Sequence, residues 1–106
     1  MSDFLDQVRE LVRIGEVRIS EHGYDELAED GLFVRDLLAG AADAVLVEEY
    51  PNYRKGPCVL VLQEDYLGDP VHVVWGIPRG HAKPVVLVTV YRPDPVRWSD
   101  DYLRRR

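Results

Sequence analysis

The stretch that decides the fold is Pro70–Arg106, PVHVVWGIPRGHAKPVVLVTVYRPDPVRWSDDYLRRR. It holds two β-branched apolar runs, Val71–Ile77 and Val85–Tyr91, joined by a polar connection containing Pro78, Gly80 and Pro84. Runs of this length and composition, bounded by Pro and Gly, read as an antiparallel strand pair. Beyond Tyr91 the chain carries Arg92, the rigid Pro93-Asp94-Pro95 turn, Arg97, Trp98 and the terminal Arg104-Arg105-Arg106. A core would need apolar residues there, so the residues of a site are expected to gather around this sheet.

Upstream, Ala44–Tyr50 (AVLVEEY) and Cys58–Gln63 (CVLVLQ) have the same extended character, separated by the links PNYRKGP and EDYLGDP. Strands joined by short connections favour a meander of neighbours, which predicts a four-stranded antiparallel sheet. Before residue 44 the period is helical. Ser2 is placed to cap a helix over about Asp3–Ile14, with Phe4, Leu5, Val8, Leu11 and Val12 at helical spacing and Gly15 at its end. Val17-Arg18-Ile19 reads as a short extended link. Ser20 caps a second helix ending before Gly31, and Phe33–Ala39 reads as a third helix closed by Gly40. CVLVL and PVVLVTV are too apolar to leave both sheet faces wet, so the helices must cover one face. The expected fold is α+β, one domain over residues 1–106.

Composition narrows the function. With 106 residues, 46% hydrophobic and 30% charged, the chain is an ordinary globular one. It has no apolar run of the roughly 20 residues that a membrane span requires, and its opening MSDFLDQVRE is acidic and amphipathic, unlike a secretory signal. Its single cysteine, Cys58, excludes an intrachain disulfide and reads as a small buried hydrophobe. A cytoplasmic location is expected. The formal net charge is −6, distributed unevenly: residues 1–53 hold 13 acidic and 4 basic side chains, and residues 54–106 hold 6 and 9. That argues against a protein that coats nucleic acid through many phosphate contacts, but leaves a basic sheet side for one anion or RNA segment.

His22 opens the second helix, and histidine is the side chain suited to acid–base work near neutral pH; the plainer reading is a surface histidine beside a cap. His72 shares a strand face with Val74 and Gly76, and a glycine there would leave space for a ligand; otherwise His72 is a hydrogen-bonded histidine in a half-buried sheet. Tyr91 is held at a strand end by the turn after it. Arg92 and Arg97 can clamp a phosphate and Trp98 can stack on a base; alternatively Tyr91 and Trp98 close the core and the arginines are solvated. Arg104–Arg106 reads as a frayed tail, and Asp25, Glu26, Glu29 and Asp30 as a solvated helix face. No metal-ligand spacing, Gly-rich phosphate loop or nucleophile elbow is present, so no metal and no cofactor are expected.

Over residues 17–106 the chain resembles the DUF4258 family of small prokaryotic proteins, grouped by similarity with RelE/ParE- and BrnT-type toxins. The resemblance rests on Ile19-Ser20-x-His22, Gly31-Leu32, Glu49-Tyr50-Pro51, Pro70-Val71-His72-Val73-Val74 and Thr89-Val90-Tyr91-Arg92-Pro93-Asp94-Pro95-x-x-Trp98. It departs from relatives at Glu26 and Asp30, where basic residues are often found. The resemblance implies a RelE/ParE-like toxin, a metal-independent endoribonuclease acting on mRNA free or on the ribosome and neutralised by a small antitoxin-like protein. It assigns His22, His72 and Tyr91 as catalytic candidates and Arg92 as a phosphate clamp; Arg97 and Trp98 join Arg92 as RNA-binding candidates on their own residue chemistry. The reading of another class is a non-catalytic interaction module on the same scaffold, a homodimer or a partner-binding protein; a small-ligand pocket around His72 and Gly76 is a third.

Overall fold

The computed structural model describes residues 2–106. Ser2 accepts a hydrogen bond from the Leu5 amide and caps α1 (Asp3–Arg13), and Gly15 turns the chain at φ 81°. After β1 (Val17–Ile19), Ser20 accepts from the Gly23 amide and caps α2 (Glu21–Asp30), which ends on left-handed Gly31. Helix α3 (Val34–Gly40) runs directly into a 3-10 turn, Ala41–Asp43. Gly40 therefore continues the helical path, where the sequence suggested a stop. Strands β2 (Val45–Tyr50), β3 (Cys58–Glu64), β4 (Pro70–Gly76) and β5 (Val85–Tyr91) follow. No helix among the described residues is long and apolar enough to cross a membrane.

The expectation of four antiparallel strands is corrected. The sheet has five strands in the order β1-β5-β4-β3-β2, and β1 lies parallel to β5, pairing Val17 with Val85 and Ile19 with Leu87. The architecture is α+β with a mixed, open sheet. Three residues are too few to show a period, and the partner of β1 lies at the far end of the chain, so the segment reads from sequence as a link. The β2–β3, β3–β4 and β4–β5 pairs are antiparallel as the meander requires.

Alternation divides the sheet. Val59 and Val61, Val71, Val73 and Trp75, and Val85, Leu87 and Val90 form the core with Leu5, Val8, Leu27 and Leu37 from the helices. The buried Gln63 amide links the layers: its oxygen accepts from Trp75 Nε1 at 2.9 Å and its nitrogen donates to the Leu37 carbonyl at 2.9 Å. Neither buried amide atom is left without a partner, which would otherwise cost about 1–3 kcal/mol.

The β2–β3 and β4–β5 loops are held against each other. The Arg79 amide donates to the Lys55 carbonyl at 2.9 Å, and the Arg79 guanidinium donates to the Tyr53 and Arg54 carbonyls at 2.6 and 3.0 Å. This crossing requires Gly56, whose φ is 138° and whose added Cβ would lie 2.1 Å from the Ile77 carbonyl oxygen. Gly15 also has positive φ but nothing within 4 Å of an added Cβ. Gly56→Ala is expected to lower unfolding free energy by roughly 3 kcal/mol and Gly15→Ala by about 1 kcal/mol, read from urea midpoints. Equal losses would contradict the close crossing.

Candidate functional site

The face of the sheet away from the helices carries Glu48 and Tyr50 from β2, Cys58, Leu60 and Leu62 from β3, His72, Val74 and Gly76 from β4, and Val86, Val88 and Tyr91 from β5, by the strand registers. One half of it is closed by the C-terminal segment. Asp94 starts the closure: its carbonyl accepts from the amides of Arg97 and Trp98, and its carboxylate accepts from the Val96 amide. A tight loop follows, in which the Tyr102 amide donates to Ser99, the Ser99 amide to Arg104 and the Arg106 amide to Arg97. Tyr102, at φ 61°, is the only non-glycine residue with positive φ among those described. Arg104–Arg106 is thus not a frayed tail.

This segment presses Trp98, 4% exposed, onto His72, which is fully buried. The two rings meet edge to face with centroids 4.4 Å apart, and the Arg105 guanidinium lies over the Trp98 ring, 4.7 Å from its centroid. Arg105 also donates two hydrogen bonds to the Glu48 carboxylate, at 2.9 and 3.0 Å, and Glu48 accepts from the Tyr50 hydroxyl. The paired charge keeps Glu48 below the usual carboxylate range, and burial together with Glu48 pushes Tyr50 up to about 12.

Both nitrogens of His72 are occupied. Nε2 lies 2.8 Å from the Tyr102 carbonyl, which can only accept, so Nε2 carries the hydrogen. Nδ1, 3.1 Å from the Tyr91 hydroxyl, then accepts from it. Burial lowers the proton affinity of the ring, reinforced by Arg105 and opposed by the Tyr102 carbonyl and Glu48. In this arrangement His72 is bonded to the Tyr91 hydroxyl and to the Tyr102 carbonyl, and with Trp98 the pair binds the tail to the sheet. Gly76 packs closely against its neighbours, where an added Cβ would lie 3.2 Å from Cys58 Cβ and 3.3 Å from Val88, and the open space it borders is a groove that His72 does not line.

The remaining candidates separate. Arg92 donates to Asp65 at 2.9 Å and to the Asp30 carbonyl. Burial raises the Asp65 carboxyl, but the Asp69 amide, Arg92 and the Leu67 amide outweigh it and hold the group below its ordinary value. Arg97 is exposed after the turn. His22, 67% exposed, stands on the first turn of α2 with Nε2 2.6 Å from Glu26 Oε1. The same oxygen accepts from Thr89 Oγ1 at 2.5 Å. Glu26 is therefore not part of a solvated face: it joins an exposed imidazole to β5. The spacing of four between His22 and Glu26 is the signal that could have found this pair.

Thr89 follows Val88 at the β5 bulge, and Val88 with Val86, Cys58 and Gly76 floors a groove of about 290 Å³ on the open half of this face. Arg18, Ser20, Tyr53 and Lys55 wall it. Arg18 lies on β1 and Ser20 caps α2, so the missed strand positions one wall of the groove and the helix that carries His22. The groove has an apolar floor, two cations and an exposed tyrosine. Burial raises the Cys58 thiol, which keeps it protonated and unreactive.

His72 makes stability depend on pH. Its folded proton affinity is lowered, so its contribution is complete above the ordinary value of 6.5 and is lost as pH falls from there through the folded value. Between about pH 7.5 and pH 5.5 the urea midpoint of the wild type is expected to fall more steeply than that of His72→Gln, which keeps a donor for Tyr102 but does not titrate. Parallel slopes would contradict the buried neutral ring. Trp98→Ala is expected to cost roughly 3 kcal/mol in the same assay, the loss typical of a buried aromatic and far above that of a surface one.

Comparison with known proteins places the fold in context. No curated protein and no solved structure shows significant similarity to this chain. A family described as "Domain of unknown function (DUF4258)" matches residues 19–92, from the end of β1 to Arg92, leaving the tail that closes His72 outside the matched segment. That match covers most of the chain, which therefore belongs to the DUF4258 family.

Proposed function

We propose that this chain is the toxin-like component of a prokaryotic toxin–antitoxin pair, an endoribonuclease that works without metal at the open groove beside His22. The observation that carries the reading is the His22–Glu26–Thr89 chain of contacts between α2 and β5, whose neighbouring residues Ser20 and Val88 line a groove walled by Arg18 and Lys55. Glu26 orients the imidazole through Nε2, which leaves Nδ1 directed away from the carboxylate as the base for a ribose 2′-hydroxyl. Arg18 and Lys55 suit the phosphate whose charge grows during attack, and Tyr53 offers a face for a neighbouring base. The departing 5′ oxygen takes its proton from water. The sequence resemblance to toxin families supports the same class. His72, Tyr91 and Trp98 serve in this reading as support for the face, and Arg92 as a tie between the β3–β4 turn and α2.

The acidic character of α2 limits the site to a short, positioned RNA segment, because Asp25, Glu29 and Asp30 repel a long one. Induced expression is expected to arrest bacterial growth, and His22→Ala at matched soluble level to relieve it. With RNA, alone or on ribosomes, in the presence of a chelator, His22→Ala is expected to reduce cleavage by about 10²–10⁴-fold and Lys55→Gln to reduce it less. Arrest that persists in His22→Ala would remove His22 from the site. Absence of arrest and cleavage by folded wild type would overturn the nuclease reading and favour a non-catalytic module that binds through the same groove.

A further inference from the structure

A second, larger concavity of about 680 Å³ lies at the other end of the molecule, between α3, the start of β2 and the β3–β4 turn. Its walls carry Asp36, Asp43, Glu64 and Asp65 and no lysine or arginine. Asp65 is taken by Arg92, whereas Asp36, Asp43 and Glu64 enter no ion pair among the described residues. Asp36 Oδ2 is shielded from water and has no hydrogen-bond partner.

The rim is apolar. Tyr66 is 65% exposed, Leu67 68%, Phe33 50% and Val45 47%. Phe33 and Tyr66 already pack edge to face, 6.1 Å apart, so the patch is preformed. Large apolar side chains gathered around a polar centre mark a docking surface more often than an isolated exposed residue does.

We propose that this concavity docks a basic segment of a partner protein, which places a lysine or arginine beside the exposed carboxylates of Asp43 and Glu64 and covers Tyr66, Leu67 and Val45 with apolar side chains. Charge complementarity selects this occupant. Nucleic acid would bring phosphates against three uncompensated carboxylates. A metal ion is disfavoured because no group of three His, Cys, Asp or Glu among the described residues is arranged to ligate one. A second copy of this chain is disfavoured because two arginines of its one basic run are already engaged, Arg105 by Glu48 and Arg106 by Asp100 and the Pro95 carbonyl. The inference is independent of the nuclease reading, since it uses the opposite groove.

The test is fluorescence anisotropy of the full chain with three labelled peptides: alternating Lys-Leu, alternating Lys-Ser and alternating Glu-Leu. The Lys-Leu peptide is expected to bind, more weakly as salt rises, and at least about tenfold more tightly than either of the others. Asp43→Asn with Glu64→Gln, both on the exposed rim, and separately Tyr66→Ser, are each expected to weaken it several-fold. Arg18→Gln in the other groove is expected to leave it unchanged. Equal binding of the Glu-Leu peptide, no binding of any, or loss on Arg18→Gln alone would overturn the proposal. Self-association that is abolished by Tyr66→Ser would overturn it in favour of a second copy as occupant.

Discussion

The imidazole of His72 donates to the Tyr102 carbonyl and accepts from the Tyr91 hydroxyl, and the arrangement of the second sheet face depends on that pair of bonds. A neutral ring can satisfy both in only one tautomer. Trp98 lies across the ring, Arg105 lies across Trp98, and Glu48 holds Arg105, so a line of contacts runs from β4 through the tail to β2. One half of the face is sealed in this way. The other half stays open, and Ser20, the cap of the helix that carries exposed His22, lies on its wall.

The two grooves differ in charge because the fold mixes what the sequence separates. Residues 1–53 are acidic and residues 54–106 are mildly basic. Yet Arg18, from the acidic half, joins Lys55 at one groove, while Glu64 and Asp65, from the basic half, join Asp36 and Asp43 at the other. An anion and a cationic protein segment would therefore be drawn to different ends of the molecule. A polarised surface of this kind lets one small domain contact two kinds of partner without competition between them.

Much of the architecture was legible in local chemistry. Ser2 and Ser20 cap the helices as their positions implied, and strict alternation in β4 put Val71, Val73 and Trp75 in the core and His72 on the other face. What escaped notice depended on contacts between distant residues. Val17–Ile19 becomes a strand only because β5 offers it an edge. The tail lacks any period, and its order comes from side chains: Trp98 and Arg105 on the sheet, Ser99 and Asp101 within the loop. Of the candidate site, His22 was legible but its neighbours were not. Glu26 reads from the sequence as solvated, and Arg18 and Lys55 give no signal because the groove they wall is formed by four separated segments. His72 was legible as a histidine facing out of the core, but not the tail that closes over it.

The most direct test of this account is the ionisation of His72, followed by nitrogen-15 NMR of the imidazole as the pH is lowered. The structure predicts a neutral ring with the hydrogen on Nε2, which titrates only below the ordinary histidine value of 6.5, while Trp98 and Tyr102 remain protected from solvent. A ring that titrates at the ordinary value, with both tautomers populated, would show that the tail does not seal this face, and His72 and Tyr91 would return as accessible groups.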